Sequence, residues 1–212
     1  MIKTNKLEFS YDNQKFFKFH DISLKKKENL LIIGKSGVGK TTLLHLLAGI
    51  LKSSSGSIEL FGKNITSLSS NELDKFRKNN IWIVFQRPHF VNSLTVKENL
   101  QLAQYIANKK NNFRIESILK NLNIFDKANK KTNSLSQGEK QRATIAMAII
   151  NSPKLILADE PSSSLDDENC IRVIKLLKKQ AKEFEAQLIV ITHDSRLKKH
   201  FKKSIELWIY LN

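Results

Sequence analysis

The segment GKSGVGKT, from Gly34 to Thr41, has the residue types and spacing that bind a phosphate chain. It fits the template G-x-x-x-x-G-K-[ST] at every position, which a plain glycine turn would not require. Glycines let successive backbone N–H groups face an anion, and a following helix adds unpaired N–H groups. By this template Lys40 reaches the outer phosphates, and the Thr41 hydroxyl binds Mg²⁺. The expected site comprises Gly34, Lys35, Ser36, Gly37, Val38, Gly39, Lys40, Thr41 and Thr42.

A second motif, LILADEP, begins at Leu155 and contains two acids, Asp159 and Glu160, directly after four apolar residues. Its four apolar residues predict a buried strand, so that Asp159 lies beside the phosphate loop and can hold Mg²⁺ through water. Glu160 follows in the same crevice, where a carboxylate can orient and polarise a water that attacks a γ-phosphate. The alternative is a strand that runs into a solvated turn, and the pairing with the phosphate loop favours the chemical interpretation.

Strands and helices alternate along the chain and position these groups. Apolar and alternating runs predict strands at 7–11, 16–24, 30–33, 57–61, 81–85, 155–158, 187–191 and 205–210. Helical spacing predicts helices at 40–50, 95–107, 113–122, 136–150 and 167–184, and a short one capped by Ser70. This order predicts an α/β fold with a mainly parallel sheet flanked by helices, after antiparallel strands at the N-terminus. A ligand would then bind at the carboxyl ends of the strands.

Strand signals stop after Gln86, and helical signals continue to Leu135. We therefore expect an inserted all-helical subdomain. The 212 residues suit a single domain. Its predicted parts are a core of residues 1–86 and 151–212 and a helical subdomain of about 87–150.

The third motif is LSQGEKQR, which begins at Leu135, and in which Ser136 and Glu139 form a capping box. With the two motifs above, it resembles the signature of nucleotide-binding subunits of ABC transporters, usually LSGGQ; Gln137 and Glu139 depart from that form. LTVKENL, LHLLAGI and THDSRLKKHF are similar to the lipoprotein-releasing and macrolide-exporter group. The resemblance implies a P-loop NTPase of the ABC cassette type that binds ATP with Mg²⁺ and hydrolyses it.

The resemblance also implies roles for three isolated residues. Gln86, at the end of a buried strand, matches the Q-loop glutamine that contacts Mg²⁺ and the water. His193 matches the switch histidine at the γ-phosphate. Asp166 ends the segment that matches the D-loop, which couples two sites across a dimer.

In the family the signature closes over the ATP of a second cassette, head to tail. Ser136 and Gly138 would thus contact nucleotide held by Lys40 of another copy, and a homodimer is expected. Tyr11 lies where the family places an aromatic ring under adenine. Three nearby rings remain rivals for that role: Phe16, Phe17 and Phe19.

The formal net charge is +16, from 36 Lys and Arg against 20 Asp and Glu. The lysines are spread along the chain, and no arginine-rich stripe stands out. This distribution favours solvated faces first, attraction to an anionic membrane surface second, and specific nucleic-acid binding last. With no apolar span and no signal peptide in the sequence, we expect a peripheral protein on the cytoplasmic face of the membrane.

Permease subunits that span the membrane are the partners implied by the resemblance. They would contact the region from Gln86 to Asn99, where Phe90, Val91 and Leu94 either form a partner surface or pack internally. The alternative function is a soluble ABC-type ATPase of nucleic-acid maintenance or iron–sulfur assembly. The short spacing between the phosphate loop and the signature, without heptads or zinc ligands, favours transport.

Overall fold

The computed structural model describes residues 1–11, 15–86, 89–161 and 167–208. The strands are β1 (Ile2–Tyr11), β2 (Lys15–Lys18), β3 (Ser23–Leu24), β4 (Leu30–Ile33), β5 (Ser55–Leu60), β6 (Lys63–Asn64), β7 (Ile81–Val84), β8 (Leu155–Asp159), β9 (Gln187–Thr192) and β10 (Ser204–Glu206). The α-helices are α1 (Lys40–Leu47), α2 (Ser70–Asn80), α3 (Val96–Ile106), α4 (Asn112–Asn121), α5 (Gln137–Ile149) and α6 (Asp167–Glu183). Within these ranges, no helix has both the length and the apolar character to cross a bilayer.

The parallel sheet has the strand order β10-β4-β9-β8-β7. All four pairings are parallel, so the carboxyl ends of the strands meet at one edge. The register places Ile33 beside Thr192 and Asp159 beside Ile191 at that edge. The predicted mainly parallel sheet is confirmed, and its carboxyl edge brings Asp159, the last residue of β8, and the following Glu160 next to the phosphate loop.

Two apolar clusters cover the two faces of this sheet. In β4, Leu31 and Ile33 face a cluster built with α3, α4, α5 and α6. Leu30 and Ile32 face a second cluster built with α1 and the N-terminal strands. Burial on both faces explains the continuous apolar runs. A fully buried leucine contributes about 1.5–3 kcal/mol to the stability of the fold.

The predicted division of the chain into a core and a helical subdomain at 87–150 stays a prediction.

The N-terminal sheet is antiparallel, as predicted: β1 pairs with β2, β3 and β5, and β5 pairs with β6. The single strand expected at 16–24 is wrong, because it splits into β2 and β3. The register of β1 against β5 shifts between Asn5 and Glu8, and Lys6 has a left-handed φ of 46°. Opposite this irregularity, side chains take over from the ladder: Lys6 N donates to Asp21 Oδ1, and Ile22 N donates to Thr4 Oγ1 at 2.8 Å.

The helix ends follow local chemistry. Capping boxes at Thr95 and Ser136 open α3 and α5, as the sequence predicts. The cap of α2 is Ser69 and not the predicted Ser70, because Glu72 Oε2 accepts from Ser69 N at 3.0 Å, which sets the capping-box spacing. Helix α1 ends at Leu47 and not at residue 50, because Gly49 has a φ of 66° that stops the helix.

Candidate functional site

A cavity of about 710 Å³ opens at the carboxyl edge of the parallel sheet, where β8 and β9 end beside the loop between β4 and α1. Its wall contains glycines, hydroxyl groups, two lysines, two carboxylates, an amide, an imidazole and the rings of a tyrosine and a phenylalanine. The lining residues are Tyr11, Phe17, Lys35, Ser36, Gly37, Gly39, Lys40, Thr41, Thr42, Gln86, Asp159, Glu160 and His193. Most residues predicted for the site therefore meet in one space.

The loop before α1 depends on glycine at three places. Gly37 and Gly39 have φ values of 81° and 90°, which a residue with a side chain rarely adopts. A Cβ atom on Gly39 would also lie 2.6 Å from the ring of Phe17. Gly34 does not line the cavity, and a Cβ there would lie 2.7 Å from Val38 Cγ2. Gly34 and Val38 thus pack the base of the loop, while the glycines above them shape its surface.

Helix α1 begins without a side-chain hydrogen bond at its N-cap, Gly39. Its first backbone N–H groups therefore have no side-chain partner at the cap, and they carry the positive end of the helix dipole. Lys40 is only 7% exposed, and its Nζ donates to the carbonyls of Gly34 and Lys35, both at 2.9 Å. The same Nζ lies 3.6 Å from Glu160 Oε1. A cation is thus held at the centre of the loop with an acid beside it.

Thr41 and Asp159 are in direct contact. Thr41 Oγ1 donates to Asp159 Oδ2 at 3.1 Å, which joins the start of α1 to the end of β8. Burial raises the pKa of Asp159, the bond from Thr41 opposes this, and the charge of Glu160 adds to the rise. A hydroxyl and one carboxylate facing a phosphate site suit Mg²⁺, which takes its other ligands from phosphates and water. Gln86 lines the same cavity.

Glu160 has a left-handed φ of 47°, and this turns its side chain onto the end of β9. Its Oε2 accepts from Thr192 Oγ1 at 2.9 Å, and its Oε1 lies 3.0 Å from His193 Nδ1. The carboxylate therefore lies among Lys40, Thr192 and His193. Such a group can accept a proton from water in the cavity.

Tyr11 forms part of the cavity wall and is 42% exposed. Its hydroxyl lies 3.4 Å from Thr42 Oγ1, and its ring meets the rings of Phe9 and Phe17 edge to face. Of the rival rings, Phe17 lines the cavity but is only 6% exposed, whereas Phe16 and Phe19 do not line it. The geometry thus narrows the aromatic candidates to Tyr11 and Phe17.

Ser136 and Gly138 are exposed at the start of α5, and neither lines the cavity. The structure thus does not bring them to the phosphate loop of their own chain. Asp166 lies outside the described residues, so its predicted role has no structural counterpart here.

A second groove, of about 500 Å³, lies beside the segment that was predicted to meet a permease. Trp82, His89, Val91 and Ile106 contribute to its wall, and Val91 and Ile106 are 44% and 59% exposed. Phe90, in contrast, packs against the apolar cluster of the helices. Of the two alternatives for these apolar residues, Val91 fits a partner surface, whereas Phe90 packs internally.

Sequence reasoning missed two features. The first is the contact of Thr192 with Glu160, which depends on the pairing of β8 with β9; a hydroxyl residue directly before His193 was its only signal. The second is a cleft of about 630 Å³ that gathers lysines treated as scattered. Its cationic residues are Lys27, Lys175, Lys178, Lys179 and Lys182. Four of these follow one another at helical spacing in α6, which a helical projection would have shown.

The cavity defines a P-loop nucleoside triphosphatase, and comparison with known proteins gives its family. A family model described as ABC transporter matches residues 17–163. The lipoprotein-releasing system ATP-binding protein LolD of Buchnera aphidicola is 38% identical over 193 residues, which cover 90% of this chain and 83% of LolD. The bacitracin export ATP-binding protein BceA of Halalkalibacterium halodurans is 37% identical over 186 residues, covering 86% and 74%.

A solved structure of the ATP-binding cassette MJ0796, a dimer in a post-hydrolysis state with ADP and Pi, matches with a TM-score of 0.84. The two are 29% identical, and the match covers 98% of this chain and 94% of MJ0796. The chain belongs to the ABC transporter family. It is an ATP-binding cassette ATPase. Its resemblance to the lipoprotein-releasing and macrolide-exporter group is confirmed. The alternative of nucleic-acid maintenance or iron–sulfur assembly is not supported by these relatives.

Proposed function

We propose that the chain binds Mg·ATP in the cavity at the carboxyl edge and that ATP joins two copies head to tail to drive a membrane permease. The observation that carries the proposal is the convergence of Lys40, Thr41, Asp159 and Glu160 on one point of that cavity. A cation, a metal-binding pair and a general base within reach of one phosphate are what phosphoryl transfer to water needs.

The loop would hold the phosphates by its backbone. N–H groups of residues 36–42 surround the anion, as they do at other helix N-termini. Lys40 exchanges its bonds to the Gly34 and Lys35 carbonyls for the outer phosphates. Tyr11, exposed in the same wall, stacks on the adenine, with Phe17 supporting its edge.

Mg²⁺ fits the contact between Thr41 and Asp159, with Gln86 in the same wall. When bound, the ion neutralises charge on the phosphates. Its charge also favours the ionised form of Asp159, against the burial that raises the pKa of this carboxyl.

Glu160 would take the proton of the attacking water. Its Oε2 accepts from Thr192 Oγ1 and His193 N, and its Oε1 lies beside Lys40, which lines the cavity. His193 contacts Oε1 in this structure and lies beside the space for the γ-phosphate. We assign Glu160 the role of general base and His193 that of a γ-phosphate contact.

A second copy would contribute Ser136 and Gly138. The start of α5 is capped by its own chain and exposed, away from the cavity. A helix N-terminus in this position can accept the γ-phosphate that another copy holds. Asp166 would act at the same junction.

The groove beside α3 would receive a cytoplasmic segment of the permease. It lies between α2, β7 and α3, and its exposed apolar side chains, Val91 and Ile106, suit a partner surface. The predicted contact region, Gln86 to Asn99, supplies His89, Val91 and Asn99 to this groove.

The lysine cleft on α6 is a candidate for contact with the anionic membrane surface on the cytoplasmic side. Lys175, Lys179 and Lys182 are exposed, and a lysine near such a surface contributes about 1 kcal/mol. Changing these three to Glu should abolish sedimentation of the chain with phosphatidylserine vesicles. The same change at Lys3, Lys52 and Lys63, which are also exposed, is the matched control. Equal sedimentation of both variants would remove the cleft from the proposal.

The decisive experiment for permease coupling is the purification of the chain from membranes. We expect it to carry a membrane-spanning protein and to release phosphate from Mg·ATP. Val91→Asp should lose that protein and keep nucleotide binding, because the groove is separate from the cavity. Phe113→Asp is the control, since Phe113 is 87% exposed and lies outside the groove. A wholly soluble complex without a membrane protein would reject permease coupling.

A further inference from the structure

Thr192 lies at the end of β9, is fully buried, and does not line the nucleotide cavity. Its hydroxyl makes two hydrogen bonds. Oγ1 accepts from Asp194 N at 3.0 Å and donates to Glu160 Oε2 at 2.9 Å. Because a hydroxyl has one proton, the bond from Asp194 leaves that proton directed at the carboxylate.

The other two groups near the Glu160 carboxylate have different positions. Lys40 Nζ lies 3.6 Å from Oε1. His193 Nδ1 lies 3.0 Å from both carboxylate oxygens, and the backbone N–H of His193 donates to Oε2 at the longer distance of 3.4 Å. Both residues line the cavity, and both would turn to phosphate when ATP binds. The bond from Thr192 to Oε2 is the shortest of these contacts and comes from a fully buried hydroxyl, so nucleotide need not displace it.

The backbone of Glu160 makes this bond necessary for orientation. Its φ of 47° places the residue just beyond the strand, although its N–H still donates to Ile191 O at 2.9 Å. Without the bond from Thr192, the carboxylate could rotate about its last side-chain bond, and Oε1 would leave the line of the attacking water.

We propose that Thr192 is a positioning residue for ATP hydrolysis: its buried hydroxyl holds Oε2 of Glu160 and so directs Oε1 at the water. This inference rests on the proposed role of Glu160 as general base. It adds a side-chain contact that the side chains of Lys40 and His193 do not provide, namely one that persists on Glu160 while nucleotide is bound.

The test compares Thr192→Val, which keeps the shape and removes the hydroxyl, with Thr192→Ser, which keeps the hydroxyl. We expect Thr192→Val to lower kcat about tenfold and leave KM for Mg·ATP within about twofold, because the interaction matters after binding. Thr192→Ser should keep kcat within about threefold. Loss of kcat in both variants, or in neither, would overturn the proposal.

A double-mutant cycle separates positioning from a general loss of structure. If Thr192 acts through Glu160, adding Thr192→Val to Glu160→Gln should lower kcat by less than about twofold more. A further tenfold drop would show that Thr192 acts elsewhere. Should Thr192→Val not fold, Thr192→Cys replaces the hydroxyl by a weak donor of similar size, and an intermediate kcat is expected.

The controls distinguish two failures. If Glu160→Gln itself leaves turnover unchanged, the proposed function of Glu160 is wrong. If Glu160→Gln slows turnover and Thr192→Val does not, only the positioning role is wrong.

Discussion

The N-termini of α1 and α5 are both suited to anions, but the chain treats them differently. Helix α1 starts at Gly39 without a side-chain cap, inside a cavity, with Lys40 buried beside it. Helix α5 starts at Ser136 with a complete capping box, and it is exposed. An uncapped end relies on a ligand to satisfy its N–H groups, whereas a capped end is stable without one. This difference suits one end to the chain's own nucleotide and the other to a nucleotide brought by a second copy.

The glycines of the two ends lead to the same conclusion. Gly39 is required by its own chain, since its φ is 90° and a Cβ would meet the ring of Phe17. Gly138 is helical. Apart from its chain neighbours and the backbone of its own helix, the one described atom within 4 Å of a Cβ placed there would be Arg142 Nη1, at 3.5 Å. Glycine in a helix costs about 1 kcal/mol relative to alanine. Because nothing in the described chain requires Gly138, close approach by another molecule is the reason we infer for it.

The largest effect is expected in the cavity at the start of α1, from Glu160→Gln. This change keeps the size of the side chain and removes its ability to take a proton. Turnover should fall about 10²-fold or more, while ATP affinity stays the same. Phosphate release and a nucleotide titration measure the two quantities, and unchanged turnover would reject Glu160 as the base.

Lys40→Ala should come next. It removes a buried cation that we assign to the outer phosphates, and a charged hydrogen bond of about 1.5–3 kcal/mol corresponds to a 10- to 100-fold loss of ATP affinity. Calorimetric titration gives the dissociation constant. Lys52→Ala, at an exposed lysine outside the cavity, should leave it unchanged. Equal affinity for the Lys40 variant and the parent would contradict the assignment.

Ser136→Arg tests the α5 side alone. On the Glu160→Gln background, where ATP is not consumed, the parent should elute as a dimer from a sizing column with Mg·ATP. The added arginine should leave a monomer with ATP affinity within about twofold, because α5 does not line its own cavity. Ser134→Arg, two residues earlier and also exposed, should still dimerise. A dimer of the Ser136 variant would remove the distinction between the two ends.

The smallest effects are expected from Gly138→Ala and Gly39→Ala, which should change the free energy of unfolding in opposite directions. Gly138→Ala should raise the free energy of unfolding of the monomer by up to about 1 kcal/mol and weaken the ATP-dependent dimer. Gly39→Ala should lower the free energy of unfolding by about 1–2 kcal/mol, because a left-handed φ is strained for alanine. Urea titration followed by circular dichroism measures both values. The same sign at both positions would break the comparison.

The sequence was most informative where structure is local. The phosphate loop and the capping boxes at Thr95 and Ser136 use neighbouring residues, so their patterns predict them directly. The contact of Thr192 with Glu160 joins residues 32 positions apart through strand pairing, which no local pattern encodes. The split of the strand expected at 16–24 also involves distant residues, since Asp21 and Ile22, in the gap between β2 and β3, bond to Lys6 and Thr4 of β1.

The parallel sheet separates the two apolar clusters, so the side chains on its two faces pack against different residues. Leu30 and Leu31 are adjacent and equally buried, yet Leu30 packs with α1 and the N-terminal strands, and Leu31 packs with the helices on the other face. Compensating substitutions for a change at one should arise far from those for the other. Adjacent positions of β4 can therefore evolve almost independently, and each half of the molecule can be redesigned without repacking its opposite.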